Sequence, residues 1–391
     1  MFKRLLEKYC IDLAKQYPVL TITGPRQSGK TTLSKICFPE KPYVNLERPD
    51  QRALAIHDPT GFLGQFPEGA ILDEIQRVPD LPSYIQVIVD ERQINGMYIL
   101  TGSQQFEISN TITQSLAGRT ALIKLLPLSV PEIMAFQDLN DPRQLMIHGA
   151  YPGLYKNHLD PNLFFMNYVE TYLERDLKQL SQIDNLLLFE RFIQIIAGRV
   201  GQLLNYNSLA NDIGVSQPTV RKWISLLQAS YIIFLLPPYY ENIGKRLIKT
   251  PKLYFYDTGL ACYLLGIQNK TQLGRHPLFG NLFENLMVSE LIKQRFNHVK
   301  RSNLFFYRDR SGNEVDVVIE NALHLIPIEI KSAQTFHPDF QQSIALFAKL
   351  FEKKMKESFV VYSGKESHAF RNTHVLPWID FLKTIENQIA Y

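Results

Sequence analysis

The sequence predicts three parts: an α/β domain with a parallel sheet, a helical region, and an α+β domain. Short β-like runs alternate with helical runs over residues 1–145, which is typical of βα units in a parallel sheet. Residues 146–245 are mainly helical in pattern, and residues 246–391 mix strand-like and helical runs. A glycine-rich loop near the amino terminus and acidic strand-like runs near the carboxyl terminus indicate where the chemistry lies.

The composition is that of an ordinary globular protein. Of 391 residues, 45% are hydrophobic and 20% are charged, and the net charge of +4 is too small to argue for nucleic-acid binding by itself. The cysteines form no CxxC pair and the histidines no His-x3-His pair, which argues against a structural zinc site. The apolar runs are too short to cross a bilayer and the amino terminus does not resemble a signal peptide, so we expect a cytoplasmic protein without a membrane partner.

Five β-like runs predict the strands of the first domain. They are PVLTIT (18–23), PYVNLE (42–47), GAILDEI (69–75), GMYILTG (96–102) and ALIKLLP (121–127). Because helical runs separate them, we expect the strands to form a parallel sheet.

The segment GPRQSGKT (24–31) fits the pattern G-x-x-x-x-G-K-[ST] between a β-like run and a helical run. This context favours a phosphate-binding loop over an ordinary glycine-rich turn. Its glycines let backbone N–H groups wrap around phosphate oxygens, Lys30 is expected to reach the β- and γ-phosphates, and Thr31 is expected to ligate Mg²⁺. The predicted ATP-binding residues are Gly24, Pro25, Arg26, Gln27, Ser28, Gly29, Lys30, Thr31 and Thr32.

An apolar run in AILDEIQ (70–76) ends in two acidic residues. Downstream of a phosphate loop, we expect Asp73 to hold Mg²⁺ and Glu74 to orient and deprotonate the attacking water. The alternative is a strand that enters an acidic turn without a catalytic role.

Two further positions are candidates for contacting the γ-phosphate. The run YILTGSQQF (98–106) ends in small polar residues, of which Ser103 is our candidate and Thr101 the alternative. Arg119 in SLAGRT (115–120) is a candidate arginine finger toward a neighbouring subunit, which would require a homo-oligomer. The alternative for Arg119 is a surface salt bridge, and Arg26 is a rival cation.

The segment SLANDIGVSQPTVRKWISLLQASYIIFLL (208–236) has the spacing of a helix-turn-helix followed by the first strand of a wing. Between Arg199 and Lys252 there are seven Lys or Arg residues and two Asp or Glu residues, so positive charge is concentrated there. The alternative is a unit used only for packing or subunit contact. The residues expected to face a nucleic acid are Gln217, Thr219, Arg221 and Lys222.

Acidic residues and a lysine recur along two strand-like runs, NEVDVVIE (313–320) and HLIPIEIKSA (324–333). A hairpin turn at Gly312 makes the first run an antiparallel neighbour of a strand near 304–308. Asp316 and Glu329 would offer oxygen ligands to Mg²⁺ or Mn²⁺, and Lys331 would position water or stabilise developing charge. The predicted helix around 280–295 adds Glu284 as a third carboxylate, with Glu290 as its alternative. Solvated charges on a half-exposed strand are the alternative for the whole set.

The chain resembles prokaryotic AAA+-type ATPases that join an N-terminal P-loop domain to a C-terminal PD-(D/E)xK nuclease-like core. The segments that carry the resemblance span nearly the whole chain: TGPRQSGKTTL (23–33), LDEIQ (72–76), ILTGSQ (99–104), SLAGR (115–119), GAYPGL (149–154), YLERDL (172–177), YDTGLACYLLG (256–266), GNLFEN (280–285), GNEVDVVIE (312–320) and IPIEIKSA (326–333). The resemblance implies a P-loop NTPase fold, a helical and winged-helix segment, and an α+β restriction-endonuclease-like domain. It also implies an ATP site and a nuclease-like site made of the residues already named.

The expected function is ATP binding and hydrolysis with Mg²⁺, on or bound to DNA or RNA. Metal-dependent nuclease activity, with Mg²⁺ or Mn²⁺, is the further expectation for the third part. Two alternatives stay open. One is a DNA-binding ATP switch whose nuclease-like domain is inert, and the other is an assembly or signalling ATPase whose winged helix binds protein.

Overall fold

The structure is a computed structural model that describes residues 2–103, 115–174, 185–240, 250–322 and 324–389. Within these ranges, no helix combines the length and apolar character needed to cross a membrane.

The first part of the chain forms a five-stranded parallel sheet in the order β2-β3-β4-β1-β5. Four of the five predicted β-like runs contain one of its strands and the fifth overlaps β5 from residue 121, so the parallel sheet is confirmed. Helices cover both faces, and β1, β3 and β4 are buried along their whole length, whereas β2 and β5 at the edges are partly exposed. The strands are β1 (Val19–Thr23), β2 (Tyr43–Asn45), β3 (Ile71–Asp73), β4 (Tyr98–Gly102) and β5 (Thr120–Lys124).

Two groups of helices pack on this sheet. One face is covered by α1 (Glu7–Ala14) and α2 (Lys30–Cys37), and the other by α3 (Pro49–His57), α4 (Pro59–Gly64) and α5 (Leu81–Arg92). Strand β1 lies between β4 and β5. The loop that follows β1 therefore emerges near the middle of the carboxyl edge of the sheet, where parallel α/β proteins place their ligands.

The middle part is helical and ends in a two-stranded antiparallel sheet of β6 (Ile233–Leu236) and β7 (Lys252–Phe255). The predicted boundary after residue 245 falls between these two strands. The helical run predicted from Phe165 continues past Tyr168 as a π-helix over Val169–Glu174, and residues 175–184 lie outside the described residues. The helices are α6 (Val130–Met134), α7 (Pro142–His148), α8 (Pro152–Lys156), α9 (Pro161–Tyr168), α10 (Leu186–Ala197), α11 (Tyr206–Ile213), α12 (Gln217–Ala229), α13 (Thr258–Leu264) and α14 (Lys270–Arg275).

The last part is a six-stranded mixed sheet in the order β12-β13-β11-β10-β9-β8. The helices α15 (Phe279–Asn297) and α17 (Trp378–Ile389) pack on one face, and α16 (Gln342–Phe351) packs on the other. The antiparallel pairing of β8 with β9 is confirmed, as is the left-handed backbone of Gly312 in the turn. The strands are β8 (Leu304–Arg308), β9 (Glu314–Asn321), β10 (His324–Lys331), β11 (Ser358–Tyr362), β12 (His368–Phe370) and β13 (Thr373–Pro377).

Two of the segments that carried the resemblance meet at one junction. Asp257 caps α13 by accepting a hydrogen bond from the Leu260 N–H at 3.1 Å, and it also accepts one from the Ala150 N–H at 2.7 Å. A Cβ on Gly259 would lie 2.7 Å from the Cα of Gly149, so the approach requires glycine. The segments GAYPGL and YDTGLACYLLG thus hold α13 against the loop before α8.

Candidate functional site

The phosphate loop follows β1 and leads directly into α2. Gly24 passes so close to the end of β5 that an added Cβ would lie 2.0 Å from the Leu125 carbonyl oxygen. Gln27 and Gly29 adopt positive φ angles of 62° and 96°, which turn successive peptide groups of the loop. Such a turned loop at a helix amino terminus presents N–H groups to an anion.

Lys30 is buried at the start of α2, with 5% of its surface exposed. Its Nζ donates to the carbonyl oxygens of Gly24 at 2.9 Å and Pro25 at 2.8 Å. Burial lowers the pKa of Lys30 to about 8, while the nearby carboxylates of Glu74 and Asp73 oppose that change. The ammonium group thus lies inside the loop, where its hydrogen-bond partners are two uncharged carbonyl oxygens.

Asp73 is the last residue of β3, and hydroxyl groups from three neighbouring elements bind its carboxylate. It accepts hydrogen bonds from Thr31 at 2.8 Å and from Tyr43 at 2.7 Å, and it also contacts the hydroxyl of Thr101 at the end of β4. Burial and the Asp73 carboxylate together raise the pKa of Tyr43, so its hydroxyl stays a donor. The first predicted carboxylate is therefore oriented beside the phosphate loop.

Glu74 directly follows β3, and its backbone is left-handed with φ 57°. Its Oε2 atom accepts hydrogen bonds from Ser103 Oγ at 3.1 Å and from the side-chain amide of Gln76. Both candidates at the end of β4 thus contact the acidic pair: Ser103 contacts Glu74, and Thr101 contacts Asp73. The strand ends of β3 and β4 bring these groups together because the two strands are parallel neighbours.

The loop opens into a cleft of about 990 Å³. Five cationic and two acidic side chains line it, so its charge favours an anionic ligand. Of these charged residues, sequence reasoning found Arg26, Lys30 and Glu74 but missed the others, because those lie outside the loop in sequence and no local motif marks them. The missed lining residues of greatest chemical interest are Arg4, Arg77, Pro152, Gly153 and Lys156.

The two rival cations occupy different places. Arg26 lines the cleft and lies 3.3 Å from Glu47, measured from NH2 to Oε1. Arg119 precedes β5 at the amino edge of the sheet, where its carbonyl pairs with the N–H of Val19. Its side chain makes a bidentate pair with Asp90, at 2.5 and 2.7 Å. Arg119 therefore lies away from the ATP cleft of its own chain, and its role toward a second chain stays a prediction.

The residues beside the loop suit Mg²⁺. Thr31 Oγ1 and Asp73 Oδ2 are adjacent oxygen donors, the type of ligand this ion prefers. Two buried side-chain oxygens nearby, Ser28 Oγ and Gln76 Oε1, have no hydrogen-bond partner among the described residues. Buried polar atoms without partners are uncommon, which fits a site that receives a polar ligand.

The structure brings the four predicted nuclease-like residues into one electrostatic cluster. Asp316 on β9 accepts a hydrogen bond from the Ile330 N–H at 2.7 Å. On β10, Lys331 Nζ lies 2.5 Å from Glu329 Oε1, and Ser343 Oγ donates to Glu329 Oε2 at 2.6 Å. Burial raises the pKa of Asp316, and it raises the pKa of Glu284 to about 7 and that of Glu329 to about 8.

Further residues of this cluster were not predicted from sequence: Lys252, Tyr254, Glu314 and Ser343. Lys252 at the start of β7 reaches Glu284 Oε1 at 2.9 Å and also pairs with Glu314. Tyr254 donates to the same Glu284 oxygen at 2.5 Å. Within the described ranges, no group of three or more His, Cys, Asp or Glu residues is arranged to hold a metal ion. The predicted metal ligands thus lie in the same cluster but are bound by protein cations and donors.

The predicted helix pair is present as α11 and α12, joined at Gly214 with its left-handed backbone. Ser216 caps α12 by accepting from the Thr219 N–H, and the predicted apolar face of this helix is buried. Arg221 and Lys222 are exposed, whereas Gln217 and Thr219 are half-buried. The basic residues of segment 241–249 that contributed to the local charge lie outside the described residues.

Three families match successive parts of the chain. An AAA domain matches residues 16–134, a domain of unknown function (DUF8612) matches residues 139–271, and a domain of unknown function (DUF4143) matches residues 279–381.

Relatives and a solved structure cover larger parts of the chain. An uncharacterized protein of Mycobacterium tuberculosis is 29% identical over 361 residues, which is 92% of this chain and 79% of that protein. An uncharacterized protein of Methanocaldococcus jannaschii is 24% identical over 340 residues, covering 77% of this chain and 72% of that protein. A Walker-type ATPase of Pyrococcus abyssi is similar with a TM-score of 0.44 and 15% identity, over 68% of this chain and 96% of that one. The family match and the loop geometry agree that the N-terminal part is an AAA-type P-loop ATPase domain.

Proposed function

We propose that this chain hydrolyses ATP, with Lys30 on the phosphates, Mg²⁺ held by Thr31 and Asp73, and Glu74 as general base. The observation that carries the proposal is the placement of both acidic side chains beside the phosphate loop, each bound by a hydroxyl from the end of β4. A strand entering an acidic turn without a catalytic role gives no reason for this convergence.

Each residue has a defined task in the proposed reaction. Lys30 exchanges its two carbonyl partners for the β- and γ-phosphate oxygens, because the ammonium is attracted more strongly to negatively charged oxygens than to neutral carbonyl oxygens. Bound Mg²⁺ supplies neutralisation of the same oxygens. Glu74 accepts the proton of the attacking water, while Ser103 holds its Oε2 atom in place.

The test separates binding from hydrolysis. Glu74→Gln should retain nucleotide binding but lose about 100-fold or more of the hydrolysis rate, whereas Lys30→Ala should lose both. The matched controls are Glu91→Gln on α5 and Lys8→Ala on α1, both at exposed positions. Phosphate release and fluorescent-nucleotide binding are the readouts. A Glu74→Gln protein that hydrolyses ATP at the wild-type rate would sink the assignment.

The proposal includes a homo-oligomer in which Arg119 of one copy reaches the ATP site of another. Arg119 would have to leave Asp90 to do so. If this is right, hydrolysis per chain rises with protein concentration, and Arg119→Ala removes that rise. A rate per chain that is independent of concentration would contradict it.

We propose nucleic-acid binding as a second function, through a winged helix-turn-helix made of α11, α12 and the β6–β7 sheet. The supporting observation is that Arg221 and Lys222 are exposed side by side on α12. The Arg221 guanidinium lies 4.2 Å from the centre of the Tyr206 ring, which holds this cation at the surface. Protein binding by the same helices is the competing function.

Salt dependence distinguishes the two. DNA or RNA binding should weaken as the salt concentration rises. The double variant Arg221→Gln/Lys222→Gln should make the slope of log binding constant against log salt concentration less steep by about 2, one for each lost phosphate contact. Arg199→Gln is the matched control, because Arg199 is already paired with Asp212 at 2.8 Å. Binding that is absent, or unchanged in the double variant, would favour a protein partner. Cleavage of the nucleic acid is not part of this proposal.

A further inference from the structure

Lys252 is the most deeply buried cation of the C-terminal cluster, with 2% of its surface exposed. It comes from the β6–β7 sheet, whereas the carboxylates come from α15 and β9. Its Nζ lies between Glu284, at 2.9 Å, and Glu314, and its charge also acts on Asp316. A strand from the middle part thus inserts an ammonium group among the carboxylates of the nuclease-like sheet.

The carboxylates around Lys252 are already satisfied by protein groups. Glu284 also binds Tyr254, and Glu314 also binds Arg308 at 3.0 Å. Asp316 accepts a backbone N–H, and Glu329 is held by Lys331 and Ser343. Each of these carboxylates accepts a hydrogen bond from a protein group, as buried charged groups require, and Glu284, Glu314 and Glu329 are also ion-paired.

We propose that Lys252 is a built-in cation that takes the place of a divalent metal ion and keeps the C-terminal cluster metal-free. An ammonium and a divalent cation in contact range of the same oxygens repel each other strongly in a buried site. Metal entry therefore requires the loss of Lys252 from the cluster. Backbone contacts hold Lys252 in this place: β7 pairs with β6, and Asn285 of α15 binds both the N–H and the carbonyl of Phe255, at 2.7 and 3.0 Å.

The inference is independent of ATP hydrolysis and can be tested without it. Binding of Mn²⁺ to the full, nucleotide-free chain is measured by the loss of the free-ion EPR signal, in an Asp73→Asn background that disables the ATP site. In this background, the chain with Lys252 intact should bind no Mn²⁺ at sub-millimolar concentration. Lys252→Gln should bind about one ion, with an affinity more than about tenfold higher than that of the chain with Lys252 intact. Adding Asp316→Asn should abolish that binding. Lys252→Arg, which keeps the charge, should behave as the wild type.

Two results would overturn the proposal. One is a Mn²⁺ ion bound by the chain with Lys252 intact and lost on Asp316→Asn, because metal and lysine would then coexist. The other is a folded Lys252→Gln chain, verified by circular dichroism, that binds no Mn²⁺. If Lys252→Gln does not fold, the comparison of the chain that keeps Lys252 with its Asp316→Asn variant still tests the proposal, since it needs no change at Lys252.

Discussion

Replacement of Arg4 by methionine should cost at least about 3 kcal/mol of stability, because it breaks a buried ion pair. Arg4 is 6% exposed and Glu132 is 3% exposed. The guanidinium donates to Glu132 Oε1 at 2.9 Å, to the Ser28 carbonyl at 2.8 Å and to the Leu126 carbonyl at 2.7 Å. Methionine fills similar space but leaves the carboxylate and both carbonyls without this donor.

The magnitude follows from the desolvated charge that remains. Removing one partner of a buried pair typically costs about 3–5 kcal/mol, since the other charge stays buried. Burial would raise the pKa of Glu132, but Arg4 and the backbone donors hold it below its usual value. The stabilising contribution of Glu132 is thus present above its unfolded-state pKa and is lost as the pH falls through its folded-state pKa. Without Arg4, burial dominates and raises that pKa, so the cost of Arg4→Met should shrink from neutral pH toward about pH 4.

A double-mutant cycle measures this coupling. Urea unfolding of wild type, Arg4→Met, Glu132→Gln and the double variant should give a coupling energy of about 2–3 kcal/mol, with the double variant less destabilised than the sum. Arg119→Met is the matched control, because that arginine makes a bidentate pair with Asp90 at the exposed surface. Additive single effects, or an Arg4→Met loss below about 1 kcal/mol, would refute the argument.

Two further predictions concern buried contacts around the ATP domain. Tyr231→Phe should lower the free energy of unfolding by about 0.5–1.5 kcal/mol, because the buried Tyr231 hydroxyl is hydrogen-bonded to Thr23 at 2.8 Å. Tyr84→Phe at an exposed position is the control in the same unfolding assay. Equal effects of the two substitutions would contradict the role of this hydrogen bond. Gly149→Ala should cost clearly more than Gly118→Ala. Both glycines have positive φ, at 72° and 75°, but Gly149 combines it with ψ −175°, a region open essentially to glycine alone. An added Cβ at Gly149 would also lie 2.6 Å from Asp257 and 2.7 Å from Phe165, whereas Gly118 has open space around it. Strain alone accounts for about 1–2 kcal/mol at Gly118, so a similar loss at both positions would contradict the added strain and crowding at Gly149.

The sequence predicted the parts of the fold that depend on short-range patterns. The three inner strands β1, β3 and β4 are short, mostly apolar runs, and such runs identify strands buried on both faces. The loop residues were found because G-x-x-x-x-G-K-T occupies consecutive positions. By contrast, β7, β12 and β13 were not predicted, because KLYF, HAF and THVLP are short and have no clear alternation of apolar and polar residues.

The candidate sites could be predicted only where a short stretch of sequence carries a signal of its own. Asp73 and Glu74 follow an apolar run, and Glu329 and Lys331 alternate on a strand, so each pair has a local signal. Lys252 has none, since a lysine at the start of a short strand is ordinarily solvated. Its burial depends on α15, more than 25 residues away in sequence, which places Glu284 against its ammonium group.

One helix connects the two charged centres of the molecule. Near its start, α15 presents Glu284 to Lys252. Near its middle, Glu290 accepts a hydrogen bond from the Val130 N–H at 2.6 Å, and Lys293 binds both Glu290 and the Leu128 carbonyl. A 19-residue helix spans about 28 Å as a rigid element.

The segment that α15 grips is the one that supports the phosphate loop. The turn around Leu128 and Val130 leads into α6, whose Glu132 binds Arg4, and Arg4 holds the carbonyl of Ser28 in the loop. Every contact in this series is polar and buried, so each has few alternative geometries that keep its partners satisfied. Moving one of these groups away from its partners would therefore leave a buried charge or carbonyl group unpaired. The ATP site and the C-terminal cluster are thus linked by buried polar contacts as far as Glu290 and by α15 itself from Glu290 to Glu284.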